Sequence, residues 1–201
     1  MQQRTVYLDN NATTPLHPEV RNTLIEAMDD YGNPSSLHQF GRYTKTKVEH
    51  AREQIANFIG ADPEEIIFVG SGSEANNTVL SAVTCKPVGH CDVCFDHASV
   101  ITTNIEHPCI LESAKCLRDR GTSVGFLDVN REGKIDIEQY RKMLGQKTGL
   151  VSVMMANNET GTIQDIKLLA KIAHENGALF HTDCIQAVGK IPVKVKDLDV
   201  D

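Results

Sequence analysis

Apolar positions along this chain follow two periods in turn, and their alternation predicts strands and helices in sequence. Val6-Tyr7-Leu8 reads as a short strand entering a polar loop from Asp9 to Pro15. Pro18 suits the first position of a helix, and Val20, Leu24 and Met28 follow on one face at i, i+4, i+8. Turn residues from Tyr31 to Ser36 end it. A second helix carries Val48, Ala51, Ile55, Phe58 and Ile59 inward and stops at Gly60. Ile66 to Val69 is an uninterrupted apolar strand, followed by Gly70-Ser71-Gly72-Ser73-Glu74 and a helix to about Val83.

The same rhythm continues with a strand at Val100 to Thr103, a helix at Ile110 to Arg120 and a strand at Val124 to Val129. A short helix at Ile137 to Leu144 precedes the apolar strand Leu150 to Met155. A helix around Leu168, Leu169, Ile172 and Ala173 then ends at Gly177, and a buried strand from Leu179 runs toward Asp183. Lys194 to Asp201 reads as a connection between elements. Strands apolar throughout and separated by helices predict an α/β fold, a mostly parallel sheet with helices on both faces. No linker, repeat or low-complexity segment divides the chain, so one domain over residues 1–201 is expected.

Composition narrows the class. With 20 basic against 27 acidic residues the net charge is −7, and no basic run offers a nucleic-acid or anionic-membrane surface. No stretch approaches the roughly 18 apolar residues of a spanning helix, and no apolar signal region follows Met1, so a cytoplasmic protein is expected. Six cysteines in a reducing compartment read as free thiols.

Four polar groups fall at predicted carboxyl ends of strands, where open α/β sheets place their ligands. Gly70-Ser71-Gly72-Ser73-Glu74 joins a strand to a helix N-terminus, an arrangement that binds anions through open amides and the helix dipole. It lacks both the dinucleotide glycine spacing and the P-loop ending, and it equally makes a tight turn with an N-cap. Asp183 could cap the next helix, or face a pyridinium nitrogen and keep it protonated so that pyridoxal phosphate acts as an electron sink. Gln186 would then reach a ring substituent. Asn157 and Asn158 are adjacent amides, of which a turn explains one more readily than both. His107 could be a structural residue, or stack on a planar ring and shuttle protons.

Taken together these runs resemble a known family. Tyr7 to Pro15, Gly32 to His38, Gly72 to Asn77, Ile105 to Pro108, Ala156 to Gly161 and His181 to Lys190 match, in order, the N-terminal half of a cysteine desulfurase or selenocysteine lyase. These belong to the class V aminotransferase-like branch of fold-type-I pyridoxal phosphate enzymes, and the nitrogen-fixation-type desulfurases are the most similar. The resemblance implies a pyridoxal 5'-phosphate large domain. Gly72 and Ser73 would hold the phosphate, and His107 would stack on the ring and take part in proton transfer. Asn158 and Gln186 would sit near the ring hydroxyl, with Asp183 on the ring nitrogen. Asn11, Ala12, Thr13, Asn33 and His38 would lie on substrate-side loops, the segment 1–17 contributing to the active site. It further implies L-cysteine as substrate, L-alanine as product, an iron–sulfur scaffold or other sulfur acceptor as partner, and a homodimer.

Two departures from the family follow. The family's Schiff-base lysine, in a Ser-Gly-His-Lys run, and its sulfur-accepting loop cysteine align beyond Asp201. The 201-residue chain alone is therefore expected to hold the cofactor only non-covalently and to be inactive, or to serve as a binding or dimerisation module. The second departure is a Cys/His-containing insertion at 84–98. Cys91 and Cys94, with Cys85, His90 and His97 near them, have zinc-like spacing but lack a second ligand pair; incidental thiols explain them as well. Cys109, Cys116 and Cys184 read as buried apolar fillers.

Overall fold

The computed structural model describes residues 5–84, 99–145 and 147–201. They fall into two compact units, one ending at Ile66 and one spanning Ile67–Asp201. The first contains α1 (Pro18–Ala27) and α2 (Gln39–Ile59), then a 3₁₀ turn at Pro63–Glu65. Pro18 opens α1 behind His17, whose Nδ1 accepts the Glu19 N–H at 3.4 Å. Gly60 closes α2 with φ 73, a left-handed cap that glycine adopts without a Cβ penalty.

The apolar stripes predicted on these helices exist, but they are not covered. No residue of α1 is buried, and Met28 is 81% exposed. On α2 only Gly41 and Ala56 are buried, while Phe58 remains 58% exposed. Periodicity shows which positions share a face, and packing decides whether that face is covered. Val6 to Leu8 forms no strand, and Leu8 is 88% exposed. Three apolar residues give too few backbone groups to hold an isolated ladder.

The second unit runs α3 (Gly72–Thr84), β1 (Ser99–Thr103), α4 (Pro108–Asp119), β2 (Val124–Leu127), α5 (Ile137–Met143), β3 (Thr148–Ser152), α6 (Ile166–Glu175), β4 (Leu179–His181) and α7 (Val195–Leu198). Its four strands are all parallel, in the order β2-β1-β3-β4. Val100, Leu150 and Leu179 are partners across β1, β3 and β4, and so are Ile101, Val151 and Phe180. Successive side chains point to opposite faces, so these rows lie on opposite sides of the sheet. The first packs with Leu80 of α3 and Ile110 of α4. The second packs with Tyr140 of α5 and Ile166, Leu169 and Ile172 of α6. Helices thus cover both faces, and each fully buried Leu, Ile or Phe contributes about 1.5–3 kcal/mol.

Several expected boundaries move. Ile66 to Val69 stays outside the sheet, with Ile67 82% exposed. Apolar character makes a strand only where a neighbour completes the ladder. β2 stops at Leu127, and Val129 bridges to Ile135 instead. β3 begins at Thr148 and ends at Ser152, yet its continuation still bonds across the sheet edge. Val153 N–H donates to the His181 carbonyl at 3.0 Å, and Met155 N–H to the Asp183 carbonyl at 2.9 Å. The expected terminal connection contains the helical turn α7, and Asp201 Oδ2 accepts the Phe180 N–H at 2.8 Å. Cys116 is exposed, and Cys109 and Cys184 are half-buried, so none of the three is a fully buried filler; all three are free thiols.

Candidate active site

β1 and β3 are neighbours, but their connections diverge: β1 leads through α4 to β2 on one side, and β3 through α6 to β4 on the other. A crevice opens beyond the strand ends at such a switch point. Gly72, Ser73, His107, Asn158, Asp183 and Gln186 all line one cleft there, of about 230 Å³. Each comes from a segment that follows a strand or starts a helix.

At the start of α3, Ser71 Oγ accepts the Glu74 N–H at 3.2 Å, and Glu74 Oε2 reaches back to the Gly70 N–H at 2.7 Å. This pairing resembles a capping box displaced by one residue and fixes the turn. The Gly72 and Ser73 N–H groups find no acceptor among the described residues, so they remain open at the positive end of the helix. A Cβ on Gly72 would lie 2.2 Å from Ile185 Cδ1, so glycine lets this turn approach the segment that carries Asp183.

Asp183 is buried, with a donor on each oxygen. Asn76 Nδ2 donates to Oδ2 at 2.8 Å, and the Ile185 N–H donates to Oδ1 at 2.9 Å. The same Asn76 amide group lies 3.4 Å from Cys109 Sγ, which ties α3, α4 and the end of β4 together. Asp183 is thus not spent as a simple helix cap, although its bond to the Ile185 N–H is of the capping kind.

His107 is the N-cap of α4, where Nδ1 accepts the Cys109 N–H at 3.2 Å. A neutral ring therefore carries its hydrogen on Nε2. The two asparagines divide as a turn requires. Asn157 is buried, donates to the Ile105 carbonyl at 2.9 Å, and accepts the Glu159 and Thr160 N–H groups at 2.9 Å each. Asn158 is half-buried and lines the cleft. Gln186 Oε1 accepts from the Lys190 ammonium. Asn157→Ala should cost about 2–3 kcal/mol, because two N–H donors and a carbonyl lose their partner at once. Urea unfolding checks this, and a loss under about 0.5 kcal/mol would count against the turn anchor.

Sequence reasoning missed two buried polar groups, Asn76 and Glu106. Asn76 was legible in part, since it lies four residues before buried Leu80 on the inner face of α3. Nothing in the pattern marked Glu106. Its Oε1 accepts the Thr103 hydroxyl at 2.7 Å and the Met154 N–H at 2.9 Å, spanning the β1 and β3 ends, while Oε2 has no partner among the described residues. Burial pushes its carboxyl up to about 7; the Met154 and Thr103 bonds oppose the rise and the Asp183 charge adds to it. Burial also lowers the pKa of His181, whose Nδ1 lies 2.9 Å from Ser152 Oγ.

Five further candidates belong to the first unit. Asn11, Ala12 and Thr13 form an exposed turn in the first unit, where the Ala12 and Thr13 N–H groups donate to the Asp9 carbonyl. Asn33 accepts the Ser35 N–H at 2.8 Å, and His38 caps α2 through the Gly41 N–H at 3.3 Å. Cys91 and Cys94 lie outside the described residues.

Comparison with known proteins agrees with this architecture. Residues 6–201 match the family model for class-V aminotransferases. The chain is 44% identical over 200 residues to a cysteine desulfurase, IscS, of Dictyoglomus turgidum, covering 99% of this chain and 49% of that one. A solved NifS-like protein superposes with a TM-score of 0.88 at 34% identity, covering 98% of this chain and 53% of the other. SspA in complex with cysteine superposes at 0.89 and 31% identity, covering 98% and 55%. The chain thus spans about half the length of the relatives it matches. Its sheet, its order of elements and its match from residue 6 to 201 place it in the class-V aminotransferase family.

Proposed function

We propose that the full-length protein is a pyridoxal-phosphate-dependent cysteine desulfurase, with residues 1–201 belonging to its large domain. The observation that carries this reading is Asp183, a buried carboxylate braced on both oxygens and lining the same cleft as His107 and the open end of α3. The residues fit the cofactor. Gly72 and Ser73 offer two open amides to its phosphate. Asp183 offers a charge to the ring nitrogen, Asn158 and Gln186 offer amides to the ring hydroxyl, and His107 offers an imidazole face. A cleft of about 230 Å³ lies just under the roughly 300 Å³ where pockets for drug-sized ligands begin, as suits one small ring.

When bound, the cofactor would supply a protonated pyridine ring as an electron sink. Asp183 keeps the proton on that nitrogen. His107, with Nδ1 engaged by α4, moves protons through Nε2. Asn11, Ala12, Thr13, Asn33 and His38 serve the substrate side. The substrate is L-cysteine, in keeping with the related SspA structure that holds cysteine. The products are L-alanine and a persulfide on an enzyme cysteine, whose sulfur passes to an iron–sulfur scaffold or another acceptor. The protein works as a cytoplasmic homodimer; among the described residues no helix is long and apolar enough to cross a membrane.

Titrating the full-length protein with pyridoxal phosphate, then adding L-cysteine and a thiol reductant, tests both parts. Saturable binding at micromolar cofactor is expected, with alanine and sulfide released one for one. Absence of binding overturns the cofactor; binding without alanine overturns the substrate.

A further inference from the structure

Two carboxyl groups are buried where β1, β3 and β4 end, and they are supported unequally. Asp183 receives a donor on each oxygen, from Asn76 and from the Ile185 N–H. Glu106, 4% exposed, receives both of its donors on Oε1 and, among the described residues, none on Oε2. An ionised Glu106 would leave part of its charge on a buried oxygen without a hydrogen bond, which is costly. A neutral Glu106 puts its proton on that oxygen and still accepts both bonds at Oε1. Each acid receives two donors, but only Glu106 is left with an unpartnered oxygen among the described residues, and of two nearby acids that one keeps the proton.

The position gives this proton a role. Thr103 ends β1 and Met154 follows β3, so the bonds to Oε1 clamp the two strands that flank the crevice. The next residue along the chain is His107, the N-cap of α4. We propose that Glu106 is a positioning residue of this site: its neutral carboxyl, with the proton on Oε2, clamps the strand ends beside His107 and leaves the negative charge to Asp183. The proposal relies on the cofactor reading only for what Asp183 and His107 face.

A pH dependence follows. The groups around Glu106 are the Thr103 hydroxyl from β1, the Met154 N–H after β3, Asp183 after β4 and His107 at α4; His181, whose pKa burial lowers, lies on β4. Because the folded value of about 7 exceeds the ordinary 4.5, the native chain holds this proton more tightly than the unfolded one. The stabilisation is complete below pH 4.5, declines as pH rises toward about 7, and is gone above it.

The test uses the cofactor-free full-length protein, wild type and the variants E106Q and E106A, with thermal midpoints read from pH 5 to pH 8. E106Q should lie within a few degrees of wild type at pH 5, since glutamine imitates the neutral acid. Wild type should then lose roughly 5–10 °C more than E106Q by pH 8. In cofactor titrations at pH 6, E106Q should bind pyridoxal phosphate within about threefold of wild type, and E106A at least tenfold more weakly. Identical pH profiles for wild type and E106Q would overturn the proposal, as would E106Q being as unstable as E106A at pH 5. A wild-type protein that shows the pH step but no cofactor binding would overturn the cofactor reading and leave this one standing.

Discussion

Asp183→Asn is expected to remove about two to three orders of magnitude of turnover from the full-length enzyme while the chain still folds. Asparagine keeps the shape of the side chain but not its charge, so nothing anionic would face the ring nitrogen. It also creates a conflict the structure makes explicit. Asn76 Nδ2 and the Ile185 N–H are both donors, one to each oxygen of Asp183. An asparagine amide turns an acceptor toward only one of them and its own NH₂ toward the other. The lost bond should cost about 1–2 kcal/mol of stability. Steady-state alanine release and a thermal melt separate the effects. Activity within tenfold of wild type would dismiss Asp183 as the ring-nitrogen partner, whatever the melt shows.

That site was legible to the extent that its residues are fixed by chain order. An acid, an amide, a histidine and a Gly-Ser turn each followed a strand or opened a helix, and a parallel sheet brings all such ends to one edge. Helices α3 to α6 and the strands from Val100 onward were legible for the same reason: each carries buried residues on the face its period indicates. The pattern failed where burial depends on partners far along the chain. Ile67 has the composition of a core strand and is 82% exposed. Glu106 has the composition of a surface residue and is 4% exposed. Its burial is compensated by Thr103 and by Met154, which is 48 residues away, a contact no local period can announce. The Asn157 and Asn158 pair marks the boundary between the two cases. The sequence says that one amide makes the turn, and only the hydrogen bonds to Ile105, Glu159 and Thr160 say which.

Phe180→Ala is expected to destabilise the chain by about 3–5 kcal/mol, the range for deleting a fully buried aromatic ring. Phe180 has no exposed surface and sits in β4 opposite Val151, in the cluster that includes Leu169, Ile172 and Tyr140. Its own N–H is held by Asp201, so the backbone around the new cavity is constrained and collapses poorly. The effect should also reach the cleft. Val151 and Phe180 are register partners, and the bond from Met155 N–H to the Asp183 carbonyl continues that ladder. Loosening β4 therefore loosens the acid three residues beyond Phe180, and cofactor affinity should fall together with stability. Ile172→Val, on the opposing α6, removes one methylene and should cost only about 0.5–1.5 kcal/mol. Urea melts and cofactor titrations of both variants would check the coupling. A Phe180→Ala protein that loses stability but binds the cofactor as wild type does would show that Asp183 is held by Asn76 and Ile185 alone, independently of the strand beneath it.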